Sequence, residues 1–165
     1  MSLRLGEQIV EAVKAKLQAN MATKIAAINV DSALPNLPTP LAVPLDTSYY
    51  TSGIESLPAT PALIIAEGPS QFGEEGPHTL VESTEIGVWV LEADPDRQVL
   101  GKRLQRQTRA VIESLYDSPP FEQLNSNAYR IFPTRTQPGR IFEPDQADAW
   151  RGFYLTIFSV DQIEE

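Results

Sequence analysis

The sequence predicts one α+β domain: a mostly antiparallel four-stranded sheet with two helices packed on one of its faces. Three observations support this prediction. The chain has 165 residues, the length of one domain; its 42% hydrophobic and 21% charged residues are typical of globular proteins. The predicted elements follow in the order helix, strand, strand, helix, strand, strand. Residues 1–165 are therefore expected to form a single domain.

Both helices are predicted from apolar residues that recur at helical spacing. The first runs from Leu5 to about Ile28, with charged residues between the apolar positions. Asp94 and Pro95 suit the start of the second helix, as the capping residue and the first helical residue. An apolar stripe then extends over residues 100–115. Each helix thus has one stripe that must be buried against the sheet.

The four strands are predicted from short apolar or alternating runs. They cover residues 61–66, 80–92, 129–136 and 150–160. Residues 68–78, rich in glycine and proline, are expected to form a mobile hairpin tip, and residues 137–139 a turn. Pro133 lacks the N–H that an interior strand needs, which indicates an edge strand or a bulge.

A long proline-rich segment, residues 33–61, separates the first helix from the first strand. It holds six of the fourteen prolines. Connections of this length are uncommon within a compact domain and often form functional loops or binding arms. An extended arm carrying Tyr49 and Tyr50 is one interpretation, and a passive surface loop is the other.

The predicted sheet has more large apolar side chains than two helices on one face can cover. We expect Trp89, Tyr154 and Phe158 to lie together on the face of the sheet that the helices leave uncovered, as a patch for contact with another chain. The alternative is that loops or the 33–61 segment fold over that face.

Overall charge and composition exclude several classes of function. The formal net charge of -9 opposes binding of free DNA, and the absence of cysteine excludes disulfides and thiolate chemistry. The N-terminus does not resemble a signal peptide, and no apolar run has the length of a membrane helix, so a cytoplasmic origin is expected.

Candidate catalytic residues are few. His78 is the only histidine and lies in the predicted hairpin tip, where we expect it to be solvated. Nothing in the spacing of the acidic residues selects a catalytic pair: Glu74, Glu75, Glu82 and Glu85. No phosphate-binding glycine loop is present. We therefore expect no enzymatic activity, no metal and no cofactor.

One basic stripe stands out on this acidic chain. Lys102, Arg106 and Arg109 follow one another at helical spacing on the second helix. A solvated helix face explains it, as does electrostatic pairing with an identical neighbouring subunit.

The layout resembles the tail terminator, or tail completion, proteins of tailed bacteriophages. An amphipathic helix and a proline-rich link precede the strand at residues 61–65 and a hairpin into Ile86-Gly87-Val88-Trp89-Val90. The helix of residues 100–115 and the final strand, Trp150-Arg151-Gly152-Phe153-Tyr154-Leu155-Thr156-Ile157, complete it. The resemblance covers residues 5–160.

This resemblance implies a virion protein of the tail or neck, assembled in the host cytoplasm without catalysis or cofactor. Its partners would be its own copies in a hexameric ring, the tail tube protein and the head connector, with DNA only as passing cargo. Carboxylates lining the lumen would repel that DNA. Subunit contacts are expected from Trp89, Tyr154 and Phe158, or from the arm with Tyr49 and Tyr50.

Two alternatives stay open. Another neck or minor tail protein, such as a head-closure or adaptor protein, could share this layout. A small-molecule-binding regulatory domain, or an enzyme with a cleft under the proline arm, belongs to a different class.

Overall fold

The computed structural model describes residues 6–51, 58–74, 76–77, 79–116, 130–142 and 149–164. These residues form two helices, five strands and one short 3₁₀ turn at Asp46–Ser48. In chain order the elements are α1 (Gly6–Asn29), β1 (Tyr49–Tyr50), β2 (Ala62–Glu74), β3 (Leu80–Asp94), α2 (Arg97–Leu115), β4 (Arg130–Phe142) and β5 (Trp150–Glu164). The predicted α+β class and both predicted helices are confirmed.

The sheet has five strands in the order β1-β2-β3-β5-β4, rather than the predicted four. The extra strand comes from the proline-rich segment, where Tyr49 pairs with Leu63 and Tyr50 with Ile64 in parallel. All other neighbours are antiparallel. The sheet is therefore mixed. A two-residue strand is too short to show alternation, which is why the sequence did not reveal it.

The hydrophobic core lies between the two helices and one face of the sheet. The apolar stripe of α1 is fully buried at Ile9, Val10, Val13, Leu17, Met21, Ile25 and Ile28. The sheet contributes Leu63, Ile65, Ile86, Val88, Val90, Phe158 and Val160. Each such side chain stabilises the fold by about 1.5–3 kcal/mol relative to exposure. This packing leaves the opposite face of the sheet to be explained.

Two strands are longer than predicted. β2 continues to Glu74 through the expected hairpin tip, and a register shift between Glu67 and Ser70 accommodates the Gly68-Pro69 pair. β4 continues to Phe142 through the expected turn at residues 137–139, with shifts after Pro133 and Pro138. An edge strand tolerates prolines and bulges because one side of its backbone needs no ladder partner.

Helix α2 begins two residues later than predicted. Asp96, not Asp94, is the N-cap, and its carboxylate accepts hydrogen bonds from the backbone N–H groups of Gln98 at 2.7 Å and Val99 at 3.4 Å. Asp94 instead accepts from the backbone N–H of Asp96 at 2.8 Å and from Nε of Arg103 at 2.8 Å. The helix ends at Leu115, and Tyr116 is its C-cap.

Residues 31–50, called the strap below, pack against both helices. Asn29 at the end of α1 holds Leu41 by two hydrogen bonds, donating to its carbonyl at 3.0 Å and accepting from its N–H at 2.8 Å. Leu41 and Tyr49 are buried in the core. This part of the proline-rich segment is therefore built into the fold. Within the described residues, no helix has the length and hydropathy needed to cross a bilayer.

Candidate protein-interaction surface

Strand register decides which side chains face away from the helices. In β3 and β5, Ile86 pairs with Phe158 on the helix side, and Trp89 pairs with Leu155 on the other side. Because side chains alternate along a strand, Leu91 and Phe153 share the side of Trp89. None of these outward side chains belongs to the core cluster.

The uncovered face is defined here by Tyr50, Ile64, Trp89, Leu91, Phe142, Phe153 and Leu155. Tyr50 is placed there by its pairing with Ile64, and Phe142 by its ring contact with Phe153 at a centroid distance of 6.1 Å. Phe142 is 47% exposed and the others are half-buried. Within the described residues, the uncovered face is thus a broad apolar surface with no helix packed on it.

Two glycines leave space for large side chains of the uncovered face. A Cβ atom on Gly87 would sit 3.0 Å from Cζ3 of Trp89 and 3.3 Å from Cδ1 of Leu155. A Cβ on Gly139 would overlap the Phe153 ring and its backbone oxygen. Trp89 and Phe153 therefore pack against glycine backbone, which contributes to their partial burial.

The prediction that Tyr154 and Phe158 lie on the uncovered face is wrong. Phe158 is fully buried under the helices, and Tyr154, which pairs with Val90, packs against the core on the same side. Phe153 and Leu155 occupy the positions that were expected for them. Both faces of β5 are apolar. The sequence therefore shows which side chains share a face, but not which face packs against the helices.

The tyrosines of the proline-rich segment divide between the two sides. Tyr49 is 5% exposed in the core, and burial together with the nearby Asp46 carboxylate raises the pKa of its hydroxyl to about 12. Tyr50 extends the uncovered face at its β1 edge. Only Tyr50 is positioned for a contact with another chain in this conformation.

Most of the basic stripe holds the strap in place. Arg106 donates to the carbonyl of Pro35, and Arg109 donates to Asp31 at 3.2 Å and to Glu113 at 2.7 Å. The backbone N–H of Ala33, and then Arg109, lower the pKa of Asp31. Lys102 is exposed. Pairing of this stripe with a neighbouring copy stays a prediction.

A buried polar cluster also anchors the strap, and sequence reasoning missed it. Gln107 donates to the carbonyl of Ala42 at 2.8 Å and to Oε1 of Glu92 at 3.2 Å. Arg103, paired with Asp94, also donates to Thr39 and to the carbonyl of Pro40. Burial raises the pKa of Glu92, although hydrogen bonds from Gln107 and the Ala93 N–H oppose the shift.

Gln107 and Arg103 of this cluster hold the strap by its backbone carbonyls at Ala42 and Pro40. Glu92 is 4% exposed and accepts hydrogen bonds from Gln107 and from the backbone N–H of Ala93, and the charges of Arg103 and Asp94 also act on its pKa. Among the described residues, no group of His, Asp and Glu side chains is placed to bind a metal. His78 and Glu75 lie outside the described residues.

A shallow cleft lies between α2 and the strands β4 and β5. Its lining combines polar and apolar groups: Gln105, Thr108, Arg109, Ile112, Glu113, Thr136 and Tyr154. A second, smaller cavity lies beside the proline-rich segment of residues 33–61. It is lined by Pro58 and Thr60 of that segment together with Leu91, Glu92, Phe142, Arg151, Gly152 and Phe153.

Comparison with solved structures returns matches for this chain. No protein-family model matches the chain, and no curated protein matches it. A chain in the solved virion of a native gene transfer agent particle is similar, with a TM-score of 0.46 and 16% sequence identity. The alignment covers 92% of this chain and 98% of that chain. At this TM-score and identity, the likeness says nothing about function.

Proposed function

We propose that this chain is a structural virion protein of a tailed phage: a tail terminator or tail completion protein. In this proposal its copies form a homo-oligomeric ring at the head-proximal end of the tail. The ring joins the tail tube to the head connector, with DNA only passing through its lumen. The proposal includes no catalytic activity, no metal and no cofactor.

The uncovered face is the observation that carries this proposal. Six of its seven members are partly exposed within a single chain and Phe142 is 47% exposed, so part of their apolar surface is in water. Transfer of that surface into a contact would contribute about 25 cal/mol for each Å² buried. A ring requires a contact between two different surfaces of the same subunit, and an apolar sheet face can be one of them.

The order of elements supports the same proposal. The described structure has the long first helix, the link, the β2–β3 hairpin, the second helix and two closing strands, which is the layout on which the resemblance to tail terminators rests. The strap and the buried polar cluster make the subunit rigid where the link would otherwise be loose. Rigid subunits lose less conformational entropy when they assemble.

Electron microscopy of the purified protein tests the ring. Negatively stained particles should show closed rings with a central hole. A monomeric particle at every concentration tested would remove the ring from the proposal. The position in the particle is tested by copurification: tail tube protein supports a tail terminator, while portal or adaptor protein supports another neck component.

A second candidate function rests on the cleft between α2 and β4. Its mixture of hydroxyl, charged and aromatic groups is the kind of lining that small-molecule sites have. A metabolite screen by thermal shift tests it. A ligand that raises the melting temperature of a monomeric wild type, and loses that effect when Tyr154 is replaced by Ala, would favour a regulatory binding domain.

A further inference from the structure

Charge is divided between the two edges of the sheet. Residues 62–94, which form the β2–β3 hairpin, contain seven Asp and Glu residues and no Lys or Arg. Residues 130–142, which form β4, contain three Arg residues and no Asp or Glu. In the strand order β1-β2-β3-β5-β4 these elements lie on opposite sides of β5. Among the residues that the structure describes, the hairpin side of the sheet is therefore acidic and the β4 edge is basic.

The acidic side carries an exposed aromatic ring. Phe72 is 64% exposed near the far end of β2, opposite Glu82 on β3, and Glu74 lies two residues further along on the same face. These three residues are called the acidic patch. β1 pairs only with Leu63 and Ile64, so β2 is itself an edge strand here within the described residues. An exposed aromatic side chain flanked by carboxylates is suited to anchor a protein contact that has a charged rim.

The basic side is suited to side-chain contact rather than strand pairing. Arg135 and Arg140 are exposed on β4. Pro133 and Pro138 remove two backbone donors, and the register shifts after them interrupt the strand, so backbone pairing with another edge is disfavoured. Arg135 pairs with Ile157, which places it on the same side as Trp89 and Leu155. The basic strand thus borders the uncovered face.

We propose that the acidic patch of one subunit docks on the basic strand β4 of the next subunit, with Phe72 against the border of the uncovered face. This inference rests on the proposed function, because it specifies the contact by which copies associate. A second copy is the occupant because a chain of net charge -9 repels its own copies except where opposite charges meet. Joining two different surfaces gives a head-to-tail contact, which forms a ring when the rotation from copy to copy closes on itself.

Charge reversal tests the contact. One variant carries Arg135→Glu and Arg140→Glu, and the other carries Glu74→Arg and Glu82→Arg. Each variant alone brings like charges together, so we expect association at least about tenfold weaker than for the wild type by sedimentation velocity. In an equimolar mixture the acidic β4 of the first variant meets the basic hairpin of the second, and the reverse. The mixture should therefore recover particles of wild-type size.

A matched control and the opposing outcomes make the test decisive. Glu7→Arg with Glu11→Arg reverses two exposed carboxylates on α1 and should leave assembly unchanged. Circular dichroism and melting temperature establish that each variant is folded, and the pair Arg140→Glu and Glu74→Arg provides milder versions. Folded variants that assemble alone like the wild type, or that fail to assemble when mixed, would overturn this contact while the ring survives. A monomeric wild type would overturn both the contact and the ring.

Discussion

The covered and uncovered faces of β3 and β5 carry side chains of similar size and hydrophobicity, yet they are buried to different extents. On the covered face Ile86 and Phe158 are fully buried beneath the helices. On the uncovered face Trp89 and Leu155 are half-buried and lie against Gly87. The first face stabilises the subunit, and we propose that the second contacts a surface outside it.

The largest difference between the faces should appear in the stability of the subunit. Phe158→Ala removes a fully buried ring, and we expect a loss of about 3–5 kcal/mol in the free energy of unfolding. Leu155→Ala on the uncovered face serves as the matched variant, with an expected loss of about 1 kcal/mol under conditions where the protein is dilute. Urea titrations of both variants give the comparison. Equal losses would mean that the assignment of the two faces is wrong.

Substitutions on the uncovered face should affect self-association of the subunits more than substitutions elsewhere on the surface. Leu155→Glu places a charge in the middle of the uncovered face, and burying that charge against a neighbour is costly. We expect self-association to weaken by at least about 30-fold, which corresponds to about 2 kcal/mol. Ala19→Glu, on the exposed side of α1, is the control and should leave the association constant unchanged. Light scattering over a dilution series measures both. Wild-type association by a folded Leu155→Glu variant would remove this face from the interface.

A smaller effect is expected from the buried carboxylate on the covered face. Because burial raises the pKa of Glu92, the ionised carboxylate is disfavoured in the folded protein. The stability that Glu92 contributes is therefore fully present below the carboxyl pKa of the unfolded chain and is lost as pH rises through the raised pKa. Glu92→Gln keeps an acceptor for Gln107 and avoids the charge. At pH 7 this variant should be more stable than the wild type by about 1 kcal/mol.

The same comparison at lower pH provides the control for Glu92. The advantage of Glu92→Gln should shrink as pH falls below about 4.3, the ordinary pKa of a Glu carboxyl, because the group then becomes protonated in both states. Effects of the other acidic residues cancel, since both proteins share them. Urea denaturation at several pH values measures the difference. A variant that is less stable than the wild type at pH 7 would show that the ionised carboxylate is favoured by its surroundings.

Sequence periodicity was sufficient for the helices and the sheet, because long stripes specify what must be buried. The buried positions of α1 extend from Ile9 to Ile28, and tertiary packing agrees with them throughout. The ends of the strands were harder to predict from the sequence. Residues 68–74 of β2 are largely exposed, so they show no apolar alternation, and their pairing with β3 decides the structure. Asp96 caps α2 in place of the predicted Asp94, because Asp94 accepts a hydrogen bond from Arg103.

The candidate interaction surface could be predicted only in part. Trp89 was identified, whereas Phe153 and Leu155 were missed, since a strand with two apolar faces does not reveal which one meets the helices. The polar cluster was missed for a different reason. Glu92 and Gln107 belong to residue types that are mostly exposed, and only the tertiary fold brings them beside the strap backbone.

Fluorescence of Trp89 tests most directly whether another copy covers the uncovered face. Trp150→Phe leaves Trp89 as the only tryptophan. As concentration rises and particles enlarge in light scattering, its emission should shift to shorter wavelengths and iodide quenching should fall. Emission and quenching that stay constant while the protein assembles would contradict the account, since the ring would then use other surfaces.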